Sequence, residues 1–184
     1  MKWASLVVIL LTQNLSWASS IPIESVSGRD LLTSKELTLR PKDHPGGLVV
    51  VFLSARCPCS QSHVDALRSL AGRFPGYAFV GVHSNSDEPL SEAERVFEKA
   101  HLPFPLIEDQ DAKLANRFSA LKTPHAYVLN SLGEVVYRGG VSSSRDYSRA
   151  RKKYLEEALL DLQAGQKVRN PETRTLGCVI KRGD

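Results

Sequence analysis

The sequence contains little cysteine, tryptophan or methionine. Its 184 residues include three cysteines, two tryptophans and one methionine. The methionine and both tryptophans, at positions Met1, Trp3 and Trp17, lie at the N-terminus and would be lost with a cleaved leader. A mature chain without methionine cannot form a methionine-rich copper site. Because the number of cysteines is odd, at least one thiol is free or exchanges partners.

Blocks of basic residues are also missing. Charged residues make up 24% of the chain, and the formal net charge of +4 is spread along it. A short basic run at 151–153 is typical of the solvated face of a helix, so we predict no nucleic-acid partner. Hydrophobic residues make up 42%, which indicates a globular chain, and its length suits one domain.

The first 18 residues are typical of a secretory signal peptide. Met1-Lys2 supplies positive charge, residues 3–11 are apolar and uncharged, and small residues permit cleavage after Ala18 or Ser20. The apolar segment is shorter than the roughly 20 residues that span a bilayer, so we predict no stable membrane span after cleavage. The mature protein would be extracytoplasmic, either periplasmic or secreted, where disulfides can persist.

The remaining chain divides into a lead-in at 19–46 with one short strand at 36–39, a domain at 47–164, and a polar tail at 165–184 that carries Cys178. Within the domain, continuous apolar runs predict buried strands, and spacings of three and four predict helices. The predicted strands are 48–53, 77–82, 106–107, 126–129 and 134–137, and the predicted helices are 64–74, 91–100, 111–118 and 145–162. Capping residues are expected at Ser91 and Asp111. This order predicts an α/β fold with a mixed central sheet and helices on both faces.

Two cysteines lie between a buried strand and a helix, at Cys57 and Cys59. The first turn of a helix presents unpaired N–H groups and the positive end of the helix dipole, which lower the pKa of a thiol placed there. Arg56 adds a positive charge, and Pro58 suits the first helical turn. We therefore predict that Cys57 is a reactive nucleophile.

Several segments resemble the extracytoplasmic redoxins related to the AhpC/TSA proteins. The matching segments are Phe52–Pro58, Phe104–Asp109, Lys122–Leu129, Gly133–Gly139 and Gly177–Arg182. The resemblance implies a thioredoxin fold, Cys57 as the attacking cysteine, and Thr123 followed by a cis proline, Pro124, facing it. It also implies a backbone edge at Pro124 that pairs with the bound substrate.

The function that follows is thiol–disulfide exchange. Cys57 would attack a disulfide in an exported protein or a small disulfide, and a dithiol protein would supply or accept the electrons. We predict no organic cofactor and no bound metal. Redoxins of this fold usually have two residues between their cysteines, whereas only Pro58 separates Cys57 from Cys59. In a regular helix these two side chains would diverge by about 200°, so a disulfide between them would be strained. The resolving thiol is then either Cys59 or Cys178, the latter on a flexible tail.

Three other functions remain open. Ser54-x-x-Cys57 has the hydroxyl that a thiol peroxidase uses, but Val50 stands where a peroxiredoxin has proline, and no arginine lies near Thr123. Cys57, Cys59 and His63 form a partial ligand set for Cu(I) or Zn(II), with His63 expected on an exposed helix face. A redox-silent binding module of the same fold is the third alternative.

Overall fold

The structure is a computed structural model that describes residues 21–183; the predicted leader lies outside the described residues. In chain order the strands are β1 (Val26–Arg29), β2 (Glu36–Leu39), β3 (Gly47–Phe52), β4 (Tyr77–His83), β5 (Leu106–Glu108), β6 (Lys122–Thr123), β7 (His125–Leu129), β8 (Val135–Gly139) and β9 (Cys178–Val179). The α-helices are α1 (Pro58–Arg73), α2 (Leu90–Ala100), α3 (Lys113–Phe118) and α4 (Tyr154–Gln163), with 3-10 turns at Pro41–Asp43 and Tyr147–Arg149. No helix in residues 21–183 is both long and apolar enough to cross a membrane.

Five strands form the central sheet, in the order β5-β4-β3-β7-β8. β3 pairs in parallel with β4 and β4 with β5, whereas β7 is antiparallel to β3 and to β8. All six residues of β3 are buried, as its continuous apolar run predicts. The predicted mixed sheet is confirmed.

Side chains of β3 alternate between two apolar layers. Val49 and Val51 pack in one layer with α1, α2 and α4, whereas Val50 and Phe52 pack in the other with α3. The second layer also takes in Val26 of β1, so the lead-in packs on the sheet through the β1–β2 hairpin. Helices therefore cover both faces, as predicted.

The C-terminal tail is held in place rather than flexible. β9 pairs antiparallel with β6, and Ile180 is buried in the second apolar layer. The Ile180 amide donates to the Leu121 carbonyl at 3.0 Å, and the Ser86 amide donates to the Lys181 carbonyl at 2.9 Å. These bonds fix the backbone that directly follows β9.

The last helix begins at Tyr154, nine residues later than the predicted residue 145. Hydroxyl and carboxylate groups before it bond to the nearby backbone: Ser144 accepts from the Asp146 amide, and Asp146 accepts from the Ser148 amide. Such local bonds compete with helical ones. They explain why the segment ahead of α4 forms only a 3-10 turn.

Two predicted helix caps are also wrong. α2 follows Pro89 with no side-chain cap, so Ser91 lies inside the helix rather than before it. For α3 the capping carboxylate belongs to Asp109, which accepts from two amides of the first turn at 2.9 Å each. Asp111 forms an exposed ion pair with Lys113 instead.

Candidate active site

Cys57 lies between the end of β3 and the start of α1, as predicted, but it is not itself helical. It is the N-cap residue, with φ −82° and ψ 112°, and Pro58 occupies the first helical position. The predicted divergence of Cys57 and Cys59 assumed helical dihedrals at both residues. Because Cys57 has an extended backbone, that assumption is wrong, and the sulfur atoms of Cys57 and Cys59 lie close together.

The three thiols form one cluster, although they come from two distant parts of the chain. The sulfur atoms of Cys57, Cys59 and Cys178 all lie within 4.8 Å of one another, and none is in a disulfide. β9 brings Cys178 here by pairing it with Thr123. The peptide bond between Thr123 and Pro124 is cis, as the resemblance implied. Both candidate resolving thiols are therefore adjacent to Cys57.

Contacts around Cys57 favour its thiolate. Burial acts to raise the pKa of the Cys57 thiol, but a hydrogen bond from the Cys178 thiol opposes it, as do the amide of Ser60 and the hydroxyl of Thr123, and the pKa is lowered overall. The Ser60 amide acts from the first turn of α1, although its geometry falls short of a full capping bond. The thiol itself donates to the Thr123 carbonyl at 3.3 Å.

The hydroxyl of Thr123 also favours the thiolate form of Cys57. It is fully buried and has no hydrogen-bond partner while Cys57 is a thiol. A buried polar group without a partner is unfavourable, so ionisation of Cys57 gives this hydroxyl an acceptor.

The other two cysteines are held as thiols. Burial and the nearby Cys57 raise the pKa of Cys59, and the charge of Arg145 partly offsets this. Burial and a hydrogen bond to Cys57 raise the pKa of Cys178 to about 12. One thiolate thus faces two thiols that can donate to it.

The positive charge near the cluster comes from Arg145 rather than from Arg56. The Arg56 guanidinium forms an ion pair with Glu92 at 2.6 Å and donates to the Asp87 carbonyl at 2.9 Å. Its charge is therefore engaged away from the thiols, contrary to the prediction. No sequence pattern indicated Arg145, because it lies in the irregular segment before α4.

Glu88 also supports the site, although no sequence pattern indicated it. This buried carboxylate accepts from the Ser54 hydroxyl at 2.5 Å and from the Ala55 amide at 2.8 Å, while the Ser54 oxygen accepts from the Cys57 amide at 3.0 Å. Glu88 therefore fixes the backbone that carries Cys57. The Ser54 hydroxyl donates to Glu88, so it is not directed at a peroxide beside the thiol.

His63 is buried, not exposed as predicted, with 1% of its surface accessible. Its Nδ1 lies 2.7 Å from the Cys59 carbonyl oxygen, and its Nε2 lies 2.8 Å from the Ser142 hydroxyl. Both ring nitrogens are engaged, and burial lowers the pKa of the ring. The set of Cys57, Cys59 and His63 is therefore not assembled as a ligand set; Cys178 takes the third place.

Access to the thiols is from one side. A cavity of about 600 Å³ opens beside the cluster; its lining residues are Pro58, Cys59, Ser62, Arg145, Asp146, Gly177 and Cys178. Cys57 is only 1% exposed and is not among these lining residues. The backbone edge expected to receive substrate at Thr123 is occupied by β9. The chain's own tail therefore occupies the place where a substrate strand was predicted.

Comparison with known proteins places this chain in a family. The AhpC/TSA family model matches residues 29–138, and a search of curated proteins found no match. An uncharacterized conserved protein from Geobacillus kaustophilus has a TM-score of 0.78 at 22% identity, over 90% of this chain and 93% of that chain. A hypothetical protein from Sinorhizobium meliloti 1021 has a TM-score of 0.78 at 25% identity, over 91% and 96%.

A third similar structure has a described activity. It is a secreted disulfide oxidoreductase from Mycobacterium tuberculosis, homologous to E. coli DsbE, with a TM-score of 0.51 at 17% identity over 60% of this chain and 79% of that chain. At this identity the likeness establishes the thioredoxin-like fold alone. Since the family model covers more than half of the sequence, the chain belongs to the AhpC/TSA family.

Proposed function

We propose that this protein is an exported thiol–disulfide oxidoreductase in which Cys57 is the nucleophile and Cys178 the resolving thiol. One observation carries the proposal: three sulfur atoms lie within 4.8 Å of one another, and among them only Cys57 has a lowered pKa. A thiolate surrounded by two thiols is arranged for successive exchange steps.

The first step is attack of the Cys57 thiolate on one sulfur of a substrate disulfide. The substrate S–S bond breaks, an S–S bond to Cys57 forms, and the other half of the substrate leaves as a thiolate. In the second step Cys178, as a thiolate, attacks the Cys57 sulfur. The second half leaves, and Cys57 and Cys178 are joined. The substrate has gained two electrons and the protein has lost them; a dithiol protein restores the reduced state.

The charges in the cluster determine which of these two steps comes first. The negative charge of Cys57 and its hydrogen bond both contribute to the raised pKa of Cys178. Once Cys57 is in a mixed disulfide, that charge has disappeared. Ionisation of Cys178 then becomes easier, so the resolving thiol is activated only after the first step.

Cys178 is favoured over Cys59 because of its placement. The hydrogen bond from Cys178 is the largest influence that lowers the pKa of Cys57. Cys59, only two residues away, must close a very small ring to reach the same sulfur, and small rings distort disulfide geometry. Cys59 instead lines the cavity and is 8% exposed.

Substrate reaches the cluster through this cavity. Cys178 lines the cavity and Cys57 does not, and their sulfur atoms lie within 4.8 Å of each other, so a shift of Cys178 would expose the nucleophile. The cavity is large enough for one end of a small disulfide or for an exposed disulfide of an exported protein. Export itself is supported by the leader-like residues 1–18 and by the secreted neighbour of the same fold.

Turnover of a self-quenched glutathione disulfide tests the proposal, because its fluorescence rises on reduction. With a dithiol donor present, Cys57→Ser should fall to the uncatalysed rate. In a single turnover without the donor, which would itself cleave a mixed disulfide, reduced Cys178→Ser should stop with half a substrate on Cys57, visible by mass spectrometry. Cys59→Ser is the matched control and should keep turning over. Full activity in Cys57→Ser would overturn the assignment.

A further inference from the structure

The same three cysteines have a second property that disulfide exchange does not use. In residues 21–183, theirs is the one group of three or more His, Cys, Asp or Glu residues whose ligand atoms converge. We propose that the reduced cluster of Cys57, Cys59 and Cys178 binds one Cu(I) ion in trigonal coordination by three thiolates.

The spacing of the sulfur atoms fits such an ion. Metal–thiolate bonds of about 2.3 Å in a plane place three sulfurs about 4.0 Å apart. The sulfurs here lie within 4.8 Å of one another, so each moves inward by about half an ångström at most. Rotation of the Cys178 side chain beside the cavity supplies part of that movement.

Within residues 21–183 no fourth protein ligand converges with the three sulfur atoms, which favours Cu(I). A structural Zn(II) site has four protein ligands, whereas soft thiolates in three-fold coordination suit Cu(I). His63 is the nearest histidine on α1, but its two nitrogens are engaged by the Cys59 carbonyl and by Ser142. His63, the ligand predicted from the sequence, is therefore engaged elsewhere. Cys178, which is 119 residues from Cys59, takes its place.

The surroundings of the three sulfur atoms can stabilise a bound Cu(I) ion. Cys57 and Cys59 are buried, which shields a bound ion from water and oxidants. Three thiolates around one Cu(I) leave a net charge of −2, and the Arg145 side chain beside Cys59 offsets part of it. The Thr123 hydroxyl, buried without a partner, can donate to a metal-bound sulfur of Cys57.

Metal binding is an exchange of ions, not a redox step. The Cu(I) forms three bonds to sulfur, the protons of the remaining thiols pass to solvent, and copper keeps its oxidation state. A disulfide between any two of these cysteines removes two ligands. The ion therefore binds only the fully reduced protein, and copper binding and disulfide exchange exclude each other.

Anaerobic titration of the reduced, purified protein with Cu(I), in competition with bathocuproine disulfonate, measures stoichiometry and affinity. We expect one Cu(I) per chain and at least a hundred-fold weaker binding in Cys57→Ser, Cys59→Ser and Cys178→Ser alike. His63→Gln is the matched control and should bind as the unaltered protein does. Treatment with a disulfide-forming oxidant before titration should abolish binding.

X-ray absorption of the unaltered protein tests the ligand set independently of any variant's folding. The proposal expects three sulfur scatterers at about 2.3 Å and no nitrogen. Less than half an equivalent of Cu(I), nitrogen among the ligands, or unchanged affinity in folded Cys178→Ser would each overturn it. These results leave the disulfide-exchange proposal untouched, because that activity is measured without metal.

Discussion

Replacement of Cys178 by alanine should raise the pKa of Cys57. The Cys178 thiol lies within 4.8 Å of the Cys57 sulfur, and its action as a hydrogen-bond donor is the largest influence that lowers the pKa of Cys57 against the effect of burial. A hydrogen bond to a charged group contributes about 1.5–3 kcal/mol, and a thiol is a weak donor, so the lower figure applies. About 1.5 kcal/mol corresponds to a roughly ten-fold smaller thiolate fraction of Cys57 at neutral pH.

The measurement is the pH profile of iodoacetamide alkylation at Cys57, followed by peptide mass spectrometry. Removing the Cys178 side chain also opens access to the nucleophile, which changes the maximal rate but not the midpoint of the profile. The midpoint should move to higher pH in Cys178→Ala. Cys178→Ser is the matched control: its hydroxyl still donates, so its midpoint should stay near that of the unaltered protein. An unmoved midpoint in Cys178→Ala, or equal shifts in both variants, would refute the reasoning.

Three further predictions concern the support of the cluster. Gly177→Ala should release β9 and lower the free energy of unfolding by about 1–3 kcal/mol. Gly177 has φ +157°, and a Cβ added at this residue collides with the Thr123 carbonyl. Gly72→Ala, with open space around it in α1, should instead stabilise by about 1 kcal/mol. Glu88→Ala should cost about 2–4 kcal/mol, because a buried hydroxyl and a buried amide lose their acceptor. The reduced protein should lose stability as pH rises from 9.0 toward about 12, because the folded-state pKa of Cys178 is raised.

Urea unfolding with excess reductant measures the free energy of unfolding on which all three predictions depend. Equal stability of the two glycine variants would contradict the placement of β9, and a loss below about 1 kcal/mol for Glu88→Ala would contradict its buried role. The loss of stability at alkaline pH is compared with that of Cys178→Ser. This variant should lack the part of the loss that is due to ionisation of the Cys178 thiol. A parallel decline in both proteins would show that other groups cause it.

The sheet could be predicted from the sequence because its strands are local, continuous apolar runs. β3 needs no alternating pattern to be recognised, since every residue from Gly47 to Phe52 is buried. The start of α4 could not be predicted in this way. Hydroxyl and carboxylate groups such as Ser144 and Asp146 compete for the backbone through contacts that an apolar pattern does not record.

The sequence indicates which cysteines are candidates for the site but not that they converge. The convergence of Cys57, Cys59 and Cys178 depends on the extended backbone of Cys57 and on the pairing of β9 with β6. Neither of these two features is determined by residues that are close together in the sequence. Glu88 left no signal at all, because its partner Ser54 lies 34 residues away. Likewise, the buried Nε2 of His63 has its partner in Ser142, 79 residues distant.

Peptide mapping of the oxidised protein without reduction shows which cysteines take part in disulfide exchange. The reduced protein is treated with a mild disulfide-forming oxidant, remaining thiols are alkylated, and linked peptides are identified by mass spectrometry. We expect a disulfide between Cys57 and Cys178, with Cys59 alkylated. A disulfide between Cys59 and Cys178 with Cys57 alkylated would contradict this expectation, because the nucleophile would then have taken no part.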